Sequence, residues 1–165
     1  MAAESTFDIV SEFDRQELHN AIDQTQREVR TRFDLKDSRS ELKLGDHDLT
    51  LTSDSKMHLQ ALRDILESKA VRRGLSLKIF DYGEVEEAGG MRVRQVVALR
   101  QGIAEDLAKK LQRLIKEHAP KAQARIQGDA VRVGSKSKDD LQGVIRLLKE
   151  RADEFPVPLQ FTNYR

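Results

Sequence analysis

The first half of the chain alternates between two hydrophobic periods. Apolar residues recur every three or four positions over about residues 15–32 and 56–73, which predicts two amphipathic helices. Between and around these helices, apolar and polar residues alternate with a period of two, which predicts β-strands. The predicted strands cover residues 7–12, 41–44, 49–52 and 75–80. The predicted order is therefore strand, helix, hairpin, helix, strand.

The second half repeats this order. A strand is predicted over residues 92–100, a helix from Ile103 that stops before Pro120, a hairpin, a further helix, and a last strand at residues 158–161. Residues 81–91 are acidic, rich in glycine and without a period, which is typical of a linker. We therefore predict a first domain at residues 1–84, a linker at 85–91 and a second domain at 92–165.

This duplicated order indicates an α+β protein with an internal repeat. The pattern strand–helix–strand–strand–helix–strand is that of the ferredoxin-like (βαββαβ) fold, in which two helices cover one face of an antiparallel sheet. The sequence therefore predicts two tandem ferredoxin-like domains. In each domain the second face of the sheet is left open to a ligand or to the sister domain.

Composition limits the classes of protein that the chain can represent. The 165 residues are 38% hydrophobic and 35% charged, they include no cysteine, and no apolar run approaches the roughly 20 residues of a membrane helix. Because the N-terminus has neither a basic nor an apolar region, we expect no signal peptide and a soluble, cytoplasmic protein. Residues 1–84 carry 13 basic and 17 acidic side chains and residues 85–165 carry 16 and 11. An anionic partner should therefore prefer the second half.

Two arginines face each other across the hairpin of the second half. Gly128 and Asp129 are typical of a two-residue turn, which places Arg125 opposite Arg132 on the open face of the sheet. Like charges directly opposite each other destabilise a sheet by about 0.2–1 kcal/mol. A bound phosphate would reverse this effect, because arginine forks bind phosphate through paired charge-assisted hydrogen bonds. Alternatively, both side chains reach solvent or pair with carboxylates of the other domain.

The segment that follows the hairpin is a second candidate for phosphate binding. Residues 134–140 join a strand to a helix, where free backbone N–H groups can bind an anion, and Lys136 is the candidate ligand. The spacing is not that of a P-loop, and Ser137 is already explained as a helix cap. Asp139 and Asp140 also oppose an anion at this helix end. The structural interpretation of the segment is therefore favoured.

RNA binding is the alternative function for a fold of this class. Open sheets of this type bind single-stranded RNA by stacking bases on aromatic side chains of the central strands. The strands around Arg94 and Arg132 carry no aromatic residue, and only Phe7 and Phe161 in the terminal strands remain as candidates for stacking. Both also fit a hydrophobic core.

Neither a catalytic nor a metal site is predicted. The four histidines show no ligand spacing, and no cysteine is available for a thiolate or a Cys-based zinc site. No Ser/His/Asp set or carboxylate pair stands out. We therefore expect a protein that is not an enzyme and that needs no cofactor.

Several segments resemble the YajQ family. They are "FDIVSE" with the capped helix that follows it, "RQGI", "QARIQGDAVRV" with the later "DDLQ", and the terminal "QFTNYR". The resemblance implies two ferredoxin-like domains that exchange their first strands, so that residues 7–12 lie in the sheet of the second domain. It also implies a nucleotide-binding regulatory module, in some members a receptor for cyclic di-GMP that works with a transcription regulator. The candidate nucleotide-binding residues are Arg125, Arg132, Lys136, Gln127, Phe7 and Phe161.

Overall fold

The computed structural model describes residues 3–165, and these residues divide into two compact units. The first unit consists of the chain up to Glu12 together with Gln101–Arg165, and the second consists of Phe13–Arg100. Within the described residues, each unit has one four-stranded antiparallel sheet and two helices. The predicted α+β class, with two ferredoxin-like antiparallel domains, is confirmed.

The elements follow the predicted order closely. The strands are β1 (Ser5–Val10), β2 (Glu41–Leu44), β3 (Asp48–Ser53), β4 (Phe80–Ala88), β5 (Arg92–Leu99), β6 (Gln123–Gln127), β7 (Ala130–Ser135) and β8 (Gln160–Thr162). The helices are α1 (Arg15–Thr31), α2 (Lys56–Arg72), α3 (Glu105–His118) and α4 (Lys138–Glu150). Short 3-10 turns occupy Leu77–Ile79 and Ala152–Glu154.

The sheet orders show an exchange of strands between the two halves of the sequence. In the first unit the order is β6-β7-β1-β8, so that β1 lies between β7 and β8 although about 120 residues separate it from β7. In the second unit the order is β2-β3-β5-β4, and β5 occupies the corresponding place between β3 and β4. Each unit thus has the ferredoxin-like strand order, with its central strand drawn from the other half of the sequence.

Each sheet buries one face against its two helices. In the first unit Phe7 and Ile9 of β1 and Val131 and Val133 of β7 are fully buried, together with the apolar stripes of α3 and α4. In the second unit the stripes of α1 and α2 pack against the leucines of the β2–β3 hairpin. Burial of each such side chain contributes roughly 1.5–3 kcal/mol. The alternation of the strands and the period of the helices place these side chains on the buried faces, so the two patterns together specify both cores.

The predicted linker is wrong. Residues 81–91 form most of β4 and the tight turn into β5. Their alternation is hidden in the sequence because a bulge between Tyr82 and Val85 shifts the register of the strand. Glycine is required inside this bulge, since a Cβ atom on Gly83 would lie 2.8 Å from the carbonyl oxygen of Val96.

The strand predicted at residues 75–80 is also corrected. The side chain of Ser76 accepts a hydrogen bond from the backbone N–H of Lys78, and this bond begins a 3-10 turn. Only Phe80 of the predicted segment belongs to β4. The buried side chains of Leu75 and Ile79 therefore result from a turn that packs on the core, which alternation alone cannot distinguish from a strand.

The two units match in detail at one edge of each sheet. Leu42 faces Leu51 in the β2–β3 hairpin as Ala124 faces Val133 in the β6–β7 hairpin. In the second unit, the Gln26 side chain of α1 donates a hydrogen bond of 2.9 Å to the carbonyl oxygen of Leu42. In the first unit, Gln112 of α3 donates one of the same length to the carbonyl oxygen of Ala124. Because the two units correspond, a feature of the first unit that the second unit lacks is not required by the fold.

The position of β1 leads to a stability prediction. We expect Phe7→Ala to lower the free energy of unfolding by about 3–5 kcal/mol, because it empties a fully buried site. Urea unfolding measures the loss, and hydrogen exchange should show a greater loss of amide protection in β7 than in β3. The control is Phe33→Ala, which changes a side chain that is 87% exposed and should cost less than about 0.5 kcal/mol. Equal effects of the two substitutions would contradict the placement of β1.

Candidate functional site

The open face of the first unit's sheet carries a row of polar side chains. Alternation turns Phe7 of β1 and Val133 of β7 toward the helices. It turns the adjacent residues of these strands, Asp8 and Arg132, to the other face. The pairing register then places Arg125, Arg132, Asp8 and Thr162 side by side across the strands β6, β7, β1 and β8. The predicted opposition of Arg125 and Arg132 is therefore present, and Asp8 is the neighbour that the hairpin alone did not show.

Asp8 binds Arg132 through a bidentate ion pair. The Nε and Nη2 atoms of Arg132 donate to the two carboxylate oxygens of Asp8 at 2.8 and 3.2 Å. The side chain of Asp8 is 15% exposed and that of Arg132 is 31% exposed, so the pair is partly shielded from solvent. Planar, two-bonded geometry of this kind fixes the orientation of the guanidinium group. The structural interpretation of Arg132, pairing with a carboxylate, thus applies inside its own sheet.

The chain end completes the surroundings of Asp8. Thr6 and Arg165 exchange backbone hydrogen bonds of 3.0 and 2.9 Å, although Asp8 already faces Thr162. Two residues of the terminal segment therefore lie opposite one residue of β1, which is a β-bulge. Asn163 adopts a φ of +57° in this bulge and donates a hydrogen bond of 2.8 Å to Asp8. Sequence reasoning did not identify Asp8, Asn163 or Arg165.

These contacts shift the protonation of the pair. The hydrogen bonds from Arg132 lower the pKa of Asp8. Partial burial acts in the opposite direction, and the hydrogen bond from Asn163 and the charges of Arg132 and Arg165 lower the pKa further. The same pairing raises the pKa of Arg132. Asp8 is therefore a carboxylate at neutral pH, in the field of the positive charges of Arg132 and Arg165.

Arg125 differs from Arg132 in having no acidic partner. Its side chain is exposed and donates a hydrogen bond of 3.0 Å to the side-chain oxygen of Gln123. Among residues 3–165, no carboxylate lies within ion-pair distance of Arg125. Arg132 also keeps one donor, Nη1, that makes no hydrogen bond to a described residue. The exposed Gln127 lies on the same face, two positions along β6 from Arg125.

Lys136 lies apart from these arginines. It lines a cavity of about 510 Å³ at the end of β7, together with Lys121, Glu4 and Asp140. The two lysines are matched there by two carboxylates. The Glu4 side chain occupies the space over Gly134, where a Cβ atom would lie 1.8 Å from its Oε1. The cavity is consequently close to neutral and less suited to a phosphate than the face around Arg125.

Both candidate aromatic residues lie on the helix side of the sheet. Phe7 is fully buried, and its ring meets that of Phe161 edge to face at a centroid distance of 6.0 Å. Phe161 is partly buried against the same core, and the ammonium group of Lys149 in α4 lies 6.0 Å from its ring. Because neither ring reaches the open face, the prediction that they stack a base there is corrected to a role in the core.

A second, strongly basic cavity lies on the outer side of β6. It has a volume of about 750 Å³ between α3 and β6, and it includes the basic side chains Lys109, Arg113, Lys116 and Arg125. Arg125 thus lies where this groove meets the open face.

No group of three or more His, Asp or Glu side chains in residues 3–165 is placed to hold a metal ion. No helix in the described part of the chain is long and apolar enough to cross a membrane.

The second unit shows that the fold does not require this charge pattern. Its hairpin places Lys43 opposite Thr50, and Thr50 faces Val96 of β5. These positions correspond to Arg125, Arg132 and Asp8 of the first unit, because the hairpin registers and the places of β1 and β5 are the same. The second unit therefore forms the same sheet without an ion pair at these positions. The arginines of the first unit are a feature added to the fold.

The lowered pKa of Asp8 leads to a prediction about pH. A carboxyl group whose pKa is lowered by folding stabilises the protein above its usual pKa of 3.8, and this contribution is lost as the pH falls below that value. We expect Asp8→Asn to lower the melting temperature by a few degrees at pH 7, and the difference from the wild type to shrink below about pH 4. Thermal unfolding between pH 7 and pH 3 measures it, with the exposed Asp37→Asn as control. A difference that is constant with pH would contradict the ionised pair.

Known proteins are similar to this chain over nearly its whole length. The family model described as "Nucleotide-binding protein YajQ-like" matches residues 5–165. A protein of Roseiflexus castenholzii is 65% identical over 165 residues, one of Chloroflexus aurantiacus is 59% identical, and one of Trichodesmium erythraeum is 57% identical. Each match covers all of both chains, and each relative is named "Nucleotide-binding protein". The chain therefore belongs to the family described as nucleotide-binding protein YajQ-like.

Proposed function

We propose that this chain is a nucleotide-binding regulatory protein and that the phosphate of its ligand binds on the open face of β6 and β7. The observation that carries the proposal is the exposed guanidinium group of Arg125, which no carboxylate neutralises among the described residues, beside the fixed guanidinium group of Arg132. The names of the relatives support a nucleotide as the ligand.

The two arginines contribute differently to this site. Asp8 orients Arg132 through Nε and Nη2, and Nη1 remains available for a phosphate oxygen. Arg125 supplies a whole guanidinium fork, which is suited to a bidentate contact with phosphate. Gln127 lies on the same face and offers an amide group that can donate to and accept from a base. A phosphate between the arginines would also relieve the repulsion across the hairpin.

The finer proposal concerns the class of ligand and its use. The resemblance to the YajQ family favours a cyclic dinucleotide such as cyclic di-GMP, and a receptor that passes its signal to a protein partner, in some members a transcription regulator. RNA binding by stacking on the sheet is less favoured, because Phe7 and Phe161 lie on the helix side. Tyr164, which is 61% exposed, stacks on Phe7 and belongs to the opposite edge of the sheet.

The role of Arg125 can be tested by calorimetric titration with cyclic di-GMP, GTP, ATP and a short RNA. We expect one of the nucleotides to bind, and Arg125→Ala to weaken that binding about 10–150-fold, since a hydrogen bond to a charged group is worth about 1.5–3 kcal/mol. Arg125→Lys keeps the charge but loses the fork, so its affinity should lie between those of the wild type and Arg125→Ala. The melting temperature of Arg125→Ala should change little, because no carboxylate among the described residues loses its partner.

The second unit supplies the matched control for this titration. Lys43 occupies in β2 the place of Arg125 in β6, and Lys43→Ala removes one positive charge from the same position of the duplicate sheet. We expect this variant to bind the nucleotide like the wild type. Equal loss of affinity in both variants would point to a general effect of charge, and unchanged affinity in Arg125→Ala would place the site elsewhere. Tighter binding of RNA than of any nucleotide would favour the alternative function.

We also propose that the ligand is bound and not hydrolysed. Asp8 lies on this face beside Arg132, but it accepts hydrogen bonds from Arg132 and Asn163 that lower its pKa, so it is poorly suited to act as a general base. We expect no multiple-turnover release of phosphate from GTP by the wild type. Release of phosphate that Arg125→Ala abolishes and Lys43→Ala leaves intact would contradict this expectation.

A further inference from the structure

Strand β6 forms a free edge of its sheet. The order β6-β7-β1-β8 leaves one side of β6 without a neighbouring strand, and most of its residues are exposed. Gln127 and Ala130 flank a two-residue turn, so they form a hydrogen-bonded pair, and the pairs of the hairpin alternate from there. The backbone groups of Ala124 and Ile126 therefore point away from β7, toward the open side.

One of these outward groups is already occupied. The carbonyl oxygen of Ala124 accepts the hydrogen bond from Gln112 of α3. This bond independently confirms that the backbone carbonyl group of Ala124 points away from β7. Three groups remain at the edge, namely the N–H groups of Ala124 and Ile126 and the carbonyl oxygen of Ile126. None of the described residues makes a hydrogen bond with them. An edge of this kind can accept a further strand.

The groove along this edge is positively charged over an apolar floor. Ile115, Ala122 and Ala124 contribute to the floor of the 750 Å³ cavity, and Arg113 and Lys116 of α3 stand above it. These two cations have no ion-pair partner among residues 3–165. A third cation, Lys109, meets only the exposed carboxylate of Glu105 at 3.2 Å, a pair that contributes little.

The two units share two cations beside this edge and differ in charge at a third position. The bonds from Gln26 and Gln112 align α1 with α3, so that Asp23 occupies the position of Lys109 while Arg27 and Arg30 occupy those of Arg113 and Lys116. The duplicate groove of the second unit therefore includes an acidic residue where that of the first has a lysine. This difference favours an anionic occupant at β6.

We infer that the edge of β6 binds an extended, acidic segment of a protein partner, which adds to the sheet as a fifth strand. Backbone hydrogen bonds to Ala124 and Ile126 would hold the segment, and its alternate acidic side chains would meet Arg113 and Lys116. The inference names the partner contact that the proposed regulatory role needs, and to that extent it rests on the proposed function. Nucleic acid is disfavoured, because it cannot pair with a strand edge and no aromatic side chain lines the groove.

The probe is a fluorescein-labelled nine-residue peptide of alternating Glu and Val, with both ends blocked. We expect it to bind the full chain in anisotropy titrations without nucleotide. A peptide with Lys in place of Glu should bind at least about tenfold more weakly, because the charges then repel. A Glu/Val peptide N-methylated at alternate residues, so that it cannot pair with the edge, should also lose at least about tenfold through its missing backbone hydrogen bonds.

Variants of the protein locate the site. The double substitution Arg113→Glu and Lys116→Glu should weaken binding of the Glu/Val peptide at least about tenfold, and the matched double substitution Arg27→Glu and Arg30→Glu in α1 should leave it unchanged. Gln112→Ala should strengthen binding about two- to tenfold, because it frees the carbonyl oxygen of Ala124 for the added strand. In the second unit, Gln26→Ala is the matched control and should have no effect.

Three results would overturn the inference. They are equal binding of the N-methylated peptide, equal effects of the α3 and α1 double substitutions, and unchanged or weaker binding by Gln112→Ala. Displacement of the peptide by an unstructured RNA of the same charge, together with equal binding of the N-methylated peptide, would assign the groove to nucleic acid.

Calorimetric titration of the nucleotide on the Arg113/Lys116 double variant separates the two proposals. If it still binds nucleotide but not peptide, only the partner site has been removed, and if no protein form binds nucleotide, the proposed function fails by itself.

Discussion

The pairing of β1 between β7 and β8 is the interaction on which the first unit depends. The strand has buried neighbours on one face and charged neighbours on the other, so a single backbone register serves two purposes. Phe7 and Ile9 complete the core, while Asp8, between them in sequence, meets Arg132 on the opposite face. A shift by one residue would turn the carboxylate into the core and the aromatic ring out to the open face, at great cost on both sides. The register is therefore specified by the core and by the ion pair together.

Duplication makes it possible to separate what the fold needs from what has been added to it. Both units retain the central exchanged strand, the hairpin with its two-residue turn, and the glutamine that covers a carbonyl oxygen at the sheet edge. A glutamine in that place reduces the number of open backbone groups, which is one way in which proteins limit pairing at exposed edges. Only the first unit combines Asp8 with Arg125 and Arg132. Thr50 and Val96 occupy the places of Arg132 and Asp8 without charge, so the fold itself does not require the ion pair.

Much of the fold was predictable because its patterns are local. The hairpin register followed from a two-residue turn, and the opposition of Arg125 and Arg132 was predicted correctly from ten residues. Residues 81–91 were misread because the bulge at Gly83 breaks the alternation that identifies a strand. The partner of Arg132 was also missed, since Asp8 lies 124 residues away and reaches it only through the exchanged strand. Once β1 is placed antiparallel to β7, the polar position between Phe7 and Ile9 shares a face with Arg132, and the register sets the two residues opposite each other. This contact therefore follows from topology and register and not from any local signal.

The presence of a carboxylate among arginines is consistent with a site for an anion. Without Asp8, the two arginines that face each other across the hairpin, Arg125 and Arg132, would repel each other, and the cost would fall on the sheet that holds them. Asp8 removes part of this cost and fixes Arg132 by two of its donors, so that little side-chain entropy remains to be lost when a ligand arrives. Arg125 remains unpaired with any described carboxylate, and the face keeps a net positive charge. In the proposed site, one arginine positioned by Asp8 and one without a carboxylate partner would let the sheet stay stable in the absence of a ligand and still attract a phosphate.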